Sequence, residues 1–499
     1  MKIKEVSANK LNKLSKRKPL ICFGAGEMML KLFVSLQDMG IDTRVKCIVD
    51  NDSKKWGSFI MIGDTNVQII APQELMNIDV TKYTIVITAM RYKEIFAQLQ
   101  NLLVGAKISC YLLPKYRYGI AKLFLGITKH LPLKNYILMQ GEGDTCENGI
   151  AIGKYIKEHN FFNKYRLIWL CNNTDKFTET DNEKYITRYL NLEKHSYREL
   201  WNYYYYTNCS RYLIFENIMI SKSRSEQISV YMNHGAPPLK STVGKIVLEK
   251  DVNYSLCPSE NVADIVSTQF GINKERLLYC GSPRTDVFFV DEINKKIIDK
   301  LQMEKFSKVI LWAPTFRQLS RANRVDSSAI YPYGVPILYT DDDYQELKKC
   351  LEKNNILLII KPHLYQDMTK MNIDGCDNIN ILLQKDLDEI NANVYDLLKL
   401  VDSLITDYST IAFEYMMLDR PICYTIDDMD KYHIGFSVDN PLDFMPGTKV
   451  VDMEGFIQYF EEVSSGVDEF RDERRKLDEF IHPEKGNHCK KMLKALKMI

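Results

Sequence analysis

A chain of 499 residues is too long for a single hydrophobic core, and roughly 150 residues per domain suggests about three domains. The composition, 45% hydrophobic and 26% charged, is typical of a soluble globular protein. A formal net charge of +1 carries no basic excess, so nucleic acid is not an expected partner.

The cysteines and the apolar runs predict the compartment. The 12 cysteines are scattered without CxxC pairs, which is typical of reduced thiols and argues against a structural zinc site. No uninterrupted apolar run approaches the roughly 20 residues of a membrane span, and the lysine-rich start lacks the apolar segment of a signal peptide. The sequence therefore predicts a cytoplasmic protein.

The first part of the chain alternates predicted strands and helices. An apolar strand at 19–23 runs into a glycine turn, a helix is predicted over 27–39, and a second strand follows at 45–49. This pattern is typical of a Rossmann-like fold, and we assign it to an N-terminal domain over 1–115.

The glycine turn raises the question of a nucleotide site. Gly24 and Gly26 are followed, about 20 residues later, by Asp50, where a dinucleotide-binding domain carries its ribose-binding carboxylate. Met29, however, occupies the third glycine position of GxGxxG. A nucleotide site at Gly24, Gly26 and Asp50 is one interpretation and a degenerate partner or regulatory domain is the other; NAD is not an expected cofactor.

Residues 116–134 mix basic and apolar side chains, as a basic amphipathic helix does. Such a helix lies in an anionic membrane interface, with its lysines reaching the headgroups and its apolar side chains buried. It serves equally well as an interdomain linker, and Gly119, Gly126 and Pro132 weaken a continuous helix. Contact with the inner face of the cell membrane is thus one of two interpretations.

Short polar motifs follow the predicted strands of the remaining chain. They are NHGAPPLK at 233–240, GSPRTD at 281–286, APTFR at 313–317, KPH at 361–363 and TDYST at 406–410. Open α/β sheets bind ligands at the carboxyl ends of their strands. We expect the last four motifs to deliver their cations and hydroxyls to one sheet edge as an anion site, since guanidinium groups and helix N-termini neutralise phosphates.

The TDYST segment predicts a phosphate site. An apolar strand runs into small hydroxyl residues at the start of a helix predicted over 411–418, where unpaired N–H groups and the helix dipole favour an anion. Ser409 and Thr410 add hydroxyl donors. The alternative is that Asp407, Ser409 or Thr410 only caps a core helix.

His234 follows a predicted strand and precedes Gly235, whose sharp loop can present the imidazole. An unperturbed pKa near 6.5 suits a general base at neutral pH. A histidine with a purely structural role is the alternative.

In their order along the chain, these motifs resemble those of the CDP-glycerol glycerophosphotransferases, which build teichoic acids and related poly(polyol phosphate) capsules. The resemblance runs from residue 131 to about 447 and includes PSE at 258–260 and ITDYSTIAFEYMMLDRPI at 405–422. It implies a GT-B architecture in which two Rossmann-like halves, 135–300 on the acceptor side and 301–499 on the CDP-donor side, flank a cleft. With the N-terminal domain, the predicted fold class is α/β throughout.

The resemblance also implies the reaction. A polyol phosphate, either glycerol phosphate or ribitol phosphate, passes from a CDP-activated donor to a hydroxyl of a glycan or lipid-linked acceptor, and CMP is released. The two family histidines map onto His234 and His363, with His234 removing the acceptor proton and His363 and Arg317 offsetting charge on the departing CMP. The residues expected to bind the donor and its phosphates are Gly235, Arg284, Asp286, Thr315, Lys361, Asp407, Ser409, Thr410 and Glu414, the last at the cytidine ribose.

The chain departs from the family pattern at three places. It has HGAPPLK where the family usually has HGTPLK, Thr410 in place of serine, and Glu414 in place of aspartate. The last two changes keep a hydroxyl and a carboxylate, whereas the longer loop bears on the acceptor.

No dense carboxylate cluster predicts a metal cage, so no required cofactor is expected, although a divalent metal stays open. The triplet 341–343 is interpreted as a solvated loop or as a helix N-terminus, where carboxylates complement the dipole. Two other functions remain: a GT-B glycosyltransferase that uses a nucleotide sugar, and a non-catalytic assembly protein that senses a nucleotide.

Overall fold

The computed structural model describes the chain from residue 2 to 499, with gaps. The residues outside the description are 6–7, 27–28, 30–43, 63–64, 90–91, 105–108, 113–115, 142–144, 189–195, 217–218, 234, 236, 244–247, 249–251, 316, 320–323, 364–365, 367, 369–370 and 374. Two compact units share the chain: residues 1–131 with 187–208, and residues 132–186 with 209–499.

The first unit contains a seven-stranded sheet. Its strands are β1 (Lys2–Glu5), β2 (Leu20–Phe23), β3 (Val45–Val49), β4 (Phe59–Ile62), β5 (Thr65–Ile70), β6 (Thr84–Ile87) and β7 (Ser109–Leu112). They lie in the order β1-β7-β6-β2-β3-β5-β4, and every pair is parallel except β4 with β5.

The second unit contains a seven-stranded sheet, a six-stranded sheet and a short two-stranded pair. The second sheet has the order β10-β9-β8-β11-β12-β13-β14, and the third has the order β19-β18-β15-β20-β21-β22. The strands are β8 (Lys134–Gln140), β9 (Arg166–Cys171), β10 (Glu183–Thr187), β11 (Ser210–Phe215), β12 (Ile228–Tyr231), β13 (Tyr254–Cys257), β14 (Leu277–Tyr279), β15 (Lys308–Trp312), the short antiparallel pair β16 (Gln318–Leu319) and β17 (Arg324–Val325), β18 (Ile356–Ile360), β19 (Ile379–Ile381), β20 (Ser403–Thr406), β21 (Ile422–Thr425) and β22 (Thr448–Val450). The third sheet is parallel throughout.

Helices connect most of these strands. They are α1 (Ala8–Arg17), α2 (Tyr92–Leu102), α3 (Tyr116–Thr128), α4 (Glu147–Glu158), α5 (Tyr197–Cys209), α6 (Ala263–Phe270), α7 (Lys295–Leu301), α8 (Asp341–Lys353), α9 (Gln384–Asp388), α10 (Val394–Leu398), α11 (Ile411–Met416), α12 (Met453–Ser465), α13 (Arg471–Ile481) and α14 (His488–Ala495). Short 3-10 helices lie at Ser53–Lys55, Pro72–Asn77, Val80–Lys82, Phe161–Asn163, Thr174–Lys176, Glu260–Val262, Lys274–Arg276, Pro283–Phe289, Met303–Lys305, Met429–Lys431 and Pro441–Phe444.

Several inner strands are buried on both faces because parallel sheets carry cover on each side. All residues of β2, β18, β20 and β21 are buried. In the first sheet, Leu20 and Cys22 belong to one core cluster, and Ile21 and Phe23 belong to another. Alternate residues of one strand therefore fill the cores on opposite faces of the sheet.

The last helix returns to the second sheet. Cys489, Met492, Leu493 and Leu496 of α14 lie in the core cluster that also contains Ile137 and the other buried residues of the second sheet. Although residues 301–499 follow the second sheet in the sequence, their final helix completes its core.

The α/β fold with parallel sheets is confirmed, and most predicted strands are present. The predicted helix over 411–418 is α11, which ends at Met416, and the helix predicted within 116–134 is α3, which ends at Thr128, before Pro132. The predicted helix over 27–39 falls almost wholly outside the described residues. None of the described helices has the length and apolar character needed to cross a membrane.

Candidate active site

The motif-bearing loops follow strands of two different sheets. The loops at 233–240 and 281–286 follow β12 and β14 of the second sheet, whereas Arg317, Lys361 and Thr410 follow β15, β18 and β20 of the third. The prediction that the four motifs share one sheet edge is therefore wrong for Arg284. The strand before it, β14, belongs to the second sheet, whereas the strands before the other three motifs belong to the third. Contacts between the loops join the two sheets instead.

The loop that carries the HG motif touches the TDYST segment through Gly235. Its backbone has φ +117°, and a Cβ added there would lie 2.3 Å from Oγ1 and 2.7 Å from Cβ of Thr410. Both the positive φ and the close approach require glycine. Asn233 fixes this turn, since its Oδ1 accepts from the N–H of Gly235 at 3.2 Å and its Nδ2 donates to the carbonyl of Leu256 at 2.8 Å. His234 lies outside the described residues.

The end of the same loop pairs with the backbone of residues 435–437, which follow β21 of the third sheet in the sequence. The N–H of Ser437 donates to the carbonyl of Leu239 at 2.9 Å, and the N–H of Ser241 donates to the carbonyl of Gly435 at 3.1 Å. Lys240 and Phe436 form an antiparallel bridge between these two bonds. The loop after β12 is thus held at two places by segments that belong to the third sheet's side of the unit.

The TDYST segment leads from β20 directly into α11. Asp407 and Tyr408 are fully buried, whereas Ser409 and Thr410 are partly exposed. Thr410 occupies the N-cap position of α11 but its hydroxyl does not cap the helix, and Ser409 Oγ accepts from the N–H of Ile411 only at 3.5 Å. A simple capping role therefore does not account for the two hydroxyls.

Arg317 is the centre of a buried ion cluster. Its Nη1 donates to Asp407 Oδ2 at 2.6 Å, and its Nε and Nη2 donate to the two oxygens of Asp428 at 2.6 and 3.1 Å. Thr315 joins the cluster by donating to Asp407 from both its N–H and its hydroxyl, at 3.0 and 2.9 Å. Burial by itself lowers the pKa of Arg317, but the two carboxylates outweigh it and raise that pKa well above its usual value.

The cluster therefore fixes the loops after β15, β20 and β21 to one another. Asp428 also accepts from the hydroxyl of Tyr408 at 3.0 Å, and the guanidinium of Arg317 lies 5.4 Å from the centre of the Tyr408 ring. Nε, Nη1 and Nη2 of Arg317 all donate to protein oxygens in this structure, and its predicted role at the departing CMP stays a prediction.

Arg284 and Glu414 form a second buried pair, across the two sheets. Nε and Nη2 of Arg284 lie 3.1 and 3.0 Å from Oε1 of Glu414, and the hydroxyl of Tyr395 donates to Oε2. The Tyr395 ring also lies 5.0 Å from the guanidinium. Both residues were predicted to bind the donor, and the structure brings them together; the ribose contact of Glu414 stays a prediction.

Asp286 has a structural partner that the sequence did not indicate. Its two oxygens accept from the N–H groups of His488 and Cys489 at 2.7 and 2.9 Å. These are the first two residues of α14, so Asp286 satisfies N–H groups that a helix start leaves unpaired.

Lys361 and His363 follow β18. The side chains of both residues are partly exposed. Burial lowers the pKa of Lys361, while Glu147 and Asp388 act in the opposite direction. Among the described residues, Lys361 has no ion-pair partner within salt-bridge distance, which leaves its ammonium as a cation at the end of β18.

These loops match one known family. The model of the CDP-Glycerol:Poly(glycerophosphate) glycerophosphotransferase family matches residues 132–497. The chain belongs to this family.

The curated proteins to which this chain is similar include enzymes of teichoic acid synthesis. The teichoic acid glycerol-phosphate primase of Bacillus subtilis (strain 168) is 31% identical over 208 residues, 41% of this chain and 48% of that protein. The teichoic acid ribitol-phosphate polymerase TarL of Staphylococcus aureus (strain NCTC 8325 / PS 47) is 28% identical over 228 residues, 45% of this chain and 36% of that protein. The chain thus matches less than half the length of these relatives.

Solved structures of the wall teichoic acid polymerase TagF have the same fold. One is similar with a TM-score of 0.59 at 18% identity, over 82% of this chain and 97% of that chain. Another, obtained after a 15-minute soak with CDPG, gives a TM-score of 0.59 at 19% identity over the same shares. Identity at this level establishes the fold of this chain and nothing finer.

Two departures from the family motifs have visible contacts. Thr410, in place of serine, is the residue whose Oγ1 and Cβ face Gly235. Glu414, in place of aspartate, has both carboxylate oxygens paired, with Arg284 on one and Tyr395 on the other. The longer glutamate side chain spans the distance to the second sheet's Arg284.

Sequence reasoning missed three buried polar residues of this region: Glu216, Asn148 and Asp428. Asp428 follows β21 closely and Glu216 follows β11 directly. A search for polar residues just after strands, which selected the other motifs, would have found both. Asn148 carries no such signal, since it lies in the first turn of α4.

The acidic triplet at 341–343 starts α8, which agrees with the second of its two interpretations, a helix N-terminus. Thr340 caps this helix by accepting from the N–H of Asp343 at 3.2 Å, and Asp343 Oδ2 accepts from the N–H of Thr340 at 2.8 Å. Within the described part of the chain, no three His, Cys, Asp or Glu side chains are grouped as a metal site would need.

In the first unit, Asp50 closes the glycine turn. Its Oδ2 accepts from the N–H of Ala25 at 2.6 Å and lies 3.3 Å from Nζ of Lys55. Gly24 has φ +116°, and a Cβ there would approach Ala89 to 2.9 Å. The turn and the carboxylate are therefore together, as predicted from their spacing; nucleotide binding by Gly24, Gly26 and Asp50 stays a prediction.

Proposed function

We propose that this chain transfers a polyol phosphate, glycerol phosphate or ribitol phosphate, from a CDP-activated donor to a hydroxyl of a teichoic-acid or related surface-glycan acceptor, releasing CMP. Membership of the glycerophosphotransferase family supports the reaction class. The relatives' names, which include both glycerol-phosphate and ribitol-phosphate enzymes, support both polyols as candidates.

The observation that carries the proposal is the contact between Gly235 and Thr410. The residue after His234 therefore lies against the start of α11. A general base and a phosphate-binding helix start are the two parts that an in-line phosphoryl transfer needs side by side.

The proposed step has a simple balance. The acceptor oxygen attacks the β-phosphorus of the CDP-polyol and forms a new P–O bond, while the bond from that phosphorus to the bridging oxygen breaks. The electron pair leaves with CMP, and His234 takes the acceptor's proton.

Charge on the leaving CMP and on the transferred group needs positive partners. We assign this role to Lys361 and His363 at the end of β18 and to the N–H and hydroxyl groups at Ser409 and Thr410. Arg317 and Thr315 contribute by fixing Asp407, and with it the strand that runs into the helix start. No metal is part of this proposal.

We also assign the second and third sheets to the two halves of a GT-B architecture, with the first sheet as an additional Rossmann-like domain. The fold similarity to TagF and the loop contacts between the two sheets support this assignment.

The test is CMP release by the purified protein, with CDP-glycerol and CDP-ribitol each offered beside a lipid-linked or oligosaccharide acceptor. We expect acceptor-dependent CMP from one donor and a loss of about a hundredfold or more in kcat for His234→Ala. His130→Ala, at an exposed histidine of the first unit, is the control and should retain the wild-type rate.

Undiminished CMP release by His234→Ala would contradict the proposed base. Release of CDP from CDP-sugars, with no CMP from either polyol donor, would instead assign the chain to glycosyl transfer. No turnover of any donor by the wild type would favour a non-catalytic assembly role.

We further propose that α3 holds the protein at the inner face of the membrane. Leu123 and Ile127 are exposed one turn apart, beside the exposed Lys122 and Lys129. A neighbouring side of α3 is occupied, because Phe124 packs edge-on against Trp201 at 5.3 Å and Thr128 Oγ1 accepts from Asn208 at 2.6 Å. Apolar side chains flanked by lysines suit an anionic lipid surface.

A further inference from the structure

A chain of hydrogen bonds connects the centre of the second sheet to α11. Glu216 follows β11 directly, and its Oε1 accepts from Nδ2 of Asn148 at 2.8 Å. Oδ1 of Asn148 accepts in turn from the N–H of Arg284 at 3.1 Å. Arg284 then pairs with Glu414, which lies one helical turn beyond Thr410.

Every member of this chain is buried. The exposed fractions are 2% for Glu216, 0% for Asn148, 5% for Arg284 and 2% for Glu414. Buried hydrogen bonds of this kind restrict geometry strongly, since a broken one leaves a polar group without water. The position of Arg284 is thus determined from both of its ends, by Asn148 at its backbone and by Glu414 at its guanidinium.

Glu216 also acts electrostatically on Arg284. The other titratable groups with which it interacts are Glu147 and Cys146 at the start of α4, and Tyr231 on β12. Burial and the neighbouring Glu147 raise the pKa of Glu216 to about 7, against the opposing effects of Arg284 and Asn148. Glu147 in turn interacts with Lys361.

We propose that Glu216 is a positioning residue which, in its protonated form and through Asn148, holds Arg284 against Glu414 and so fixes the start of α11 for the donor. This inference rests on the proposed function, since it assigns the donor's phosphates to that helix start. When Glu216 ionises, a further negative charge draws on Arg284, and the pair with Glu414 weakens.

The first experiment measures the KM for the CDP-polyol donor between pH 6 and 8.5. We expect the wild-type KM to rise severalfold as the pH increases through about 7, and we expect the KM of Glu216→Gln, which is neutral and has the same shape, to stay low and flat. A general base acts in its deprotonated form, so His234 would raise kcat as the pH increases. Ionisation of Glu216 would instead raise the donor KM, and the KM therefore distinguishes Glu216 from His234. An identical rise in the KM of Glu216→Gln would overturn the proposal.

Two further variants test the route. Glu216→Leu and Asn148→Ala should each raise the donor KM about five- to tenfold at pH 6.5, with a smaller change in kcat. If Glu216→Leu raises the KM and Asn148→Ala does not, the connection through Asn148 is wrong. Glu389→Gln, at an exposed glutamate paired with Lys300, is the matched control and should leave the KM unchanged.

Thermal unfolding keeps the inference separable from the proposed function. A glutamate with a raised pKa in the folded state makes the protein less stable as the pH rises from about 4.5 to 7. We expect the wild-type Tm to fall more than that of Glu216→Gln between pH 5.5 and 8, and Glu147→Gln to move this fall to lower pH by removing the like charge.

If no donor is turned over, the proposed function fails, and the Tm series still decides whether Glu216 holds the proton. If CMP is released but the Tm and KM series of Glu216→Gln parallel those of the wild type, the function stands and the positioning role is wrong.

Discussion

Glycine at position 235 shows how one residue couples two loops. The positive φ of Gly235 and its contact with Thr410 are independent constraints, because the first depends on the local turn and the second on a segment 175 positions later in the chain. Local sequence indicated the sharp turn, but the contact depends on how the two sheets pack. The same is true of Arg317, whose carboxylate partners are 90 and 111 positions away.

We expect Gly235→Ala to lose most of its CMP-releasing activity and to lower the free energy of unfolding by about 1–3 kcal/mol, because the new Cβ strains the backbone and collides with Thr410. Urea unfolding and CMP release measure the two effects.

Two glycine controls separate these causes. Gly271 has a positive φ of +63° but open space around it, so Gly271→Ala should show the backbone strain without the loss of activity. Gly126 has neither constraint, and Gly126→Ala should be neutral or slightly stabilising within α3. Full activity in Gly235→Ala would show that the contact with Thr410 is dispensable.

At the scale of elements, α3 shows what a pattern of basic and apolar residues does and does not reveal. The mixture of basic and apolar residues predicted a helix at α3, and the structure confirms it despite Gly119 and Gly126. Which apolar residues face α5 and which stay exposed depended on the fold of the first unit, because residues 197–208 come from a distant part of the sequence.

We expect a double variant, Leu123→Asp with Ile127→Asp, to lose at least tenfold in binding to vesicles that contain anionic lipid, since both buried apolar area and electrostatic attraction decrease. Co-sedimentation with vesicles of phosphatidylglycerol and phosphatidylcholine is the measurement. Val104→Asp, at an apolar residue 83% exposed elsewhere in the first unit, is the control. Equal binding by the double variant would leave α3 as an internal linker.

At the scale of the whole molecule, the chain's return to the second sheet decides the role of Asp286. The sequence analysis placed this residue among the donor ligands as part of the GSPRTD motif. In the structure, the carboxylate of Asp286 accepts hydrogen bonds from the first two N–H groups of α14. The apolar side of this helix completes the core of the second sheet.

We therefore expect Asp286→Ala to lower the free energy of unfolding by about 1–2 kcal/mol, the usual effect of losing a helix cap, while the donor KM stays within twofold of the wild type. Asp452→Ala removes the N-cap of α12 and is a matched capping control, because Asp452 Oδ1 accepts from the N–H of Gly455 at 2.9 Å. A large rise in donor KM for Asp286→Ala, with unchanged stability, would restore Asp286 to the donor site.

The sequence by itself determined many of the strands, the positions of the motifs and the family. These follow from local properties: apolar runs such as ILLII at β18 fit only a strand buried on both faces, and small hydroxyl residues after a strand mark a helix start.

Only the tertiary structure decided which sheet each motif belongs to and which charges pair. The assignment of β14 to the second sheet, the pairing of Arg284 with Glu414 across 130 positions and the return of α14 all depend on long-range packing. A buried charge needs a partner, but the sequence names no partner, because several carboxylates satisfy the same local pattern and only the fold brings one of them within 3 Å.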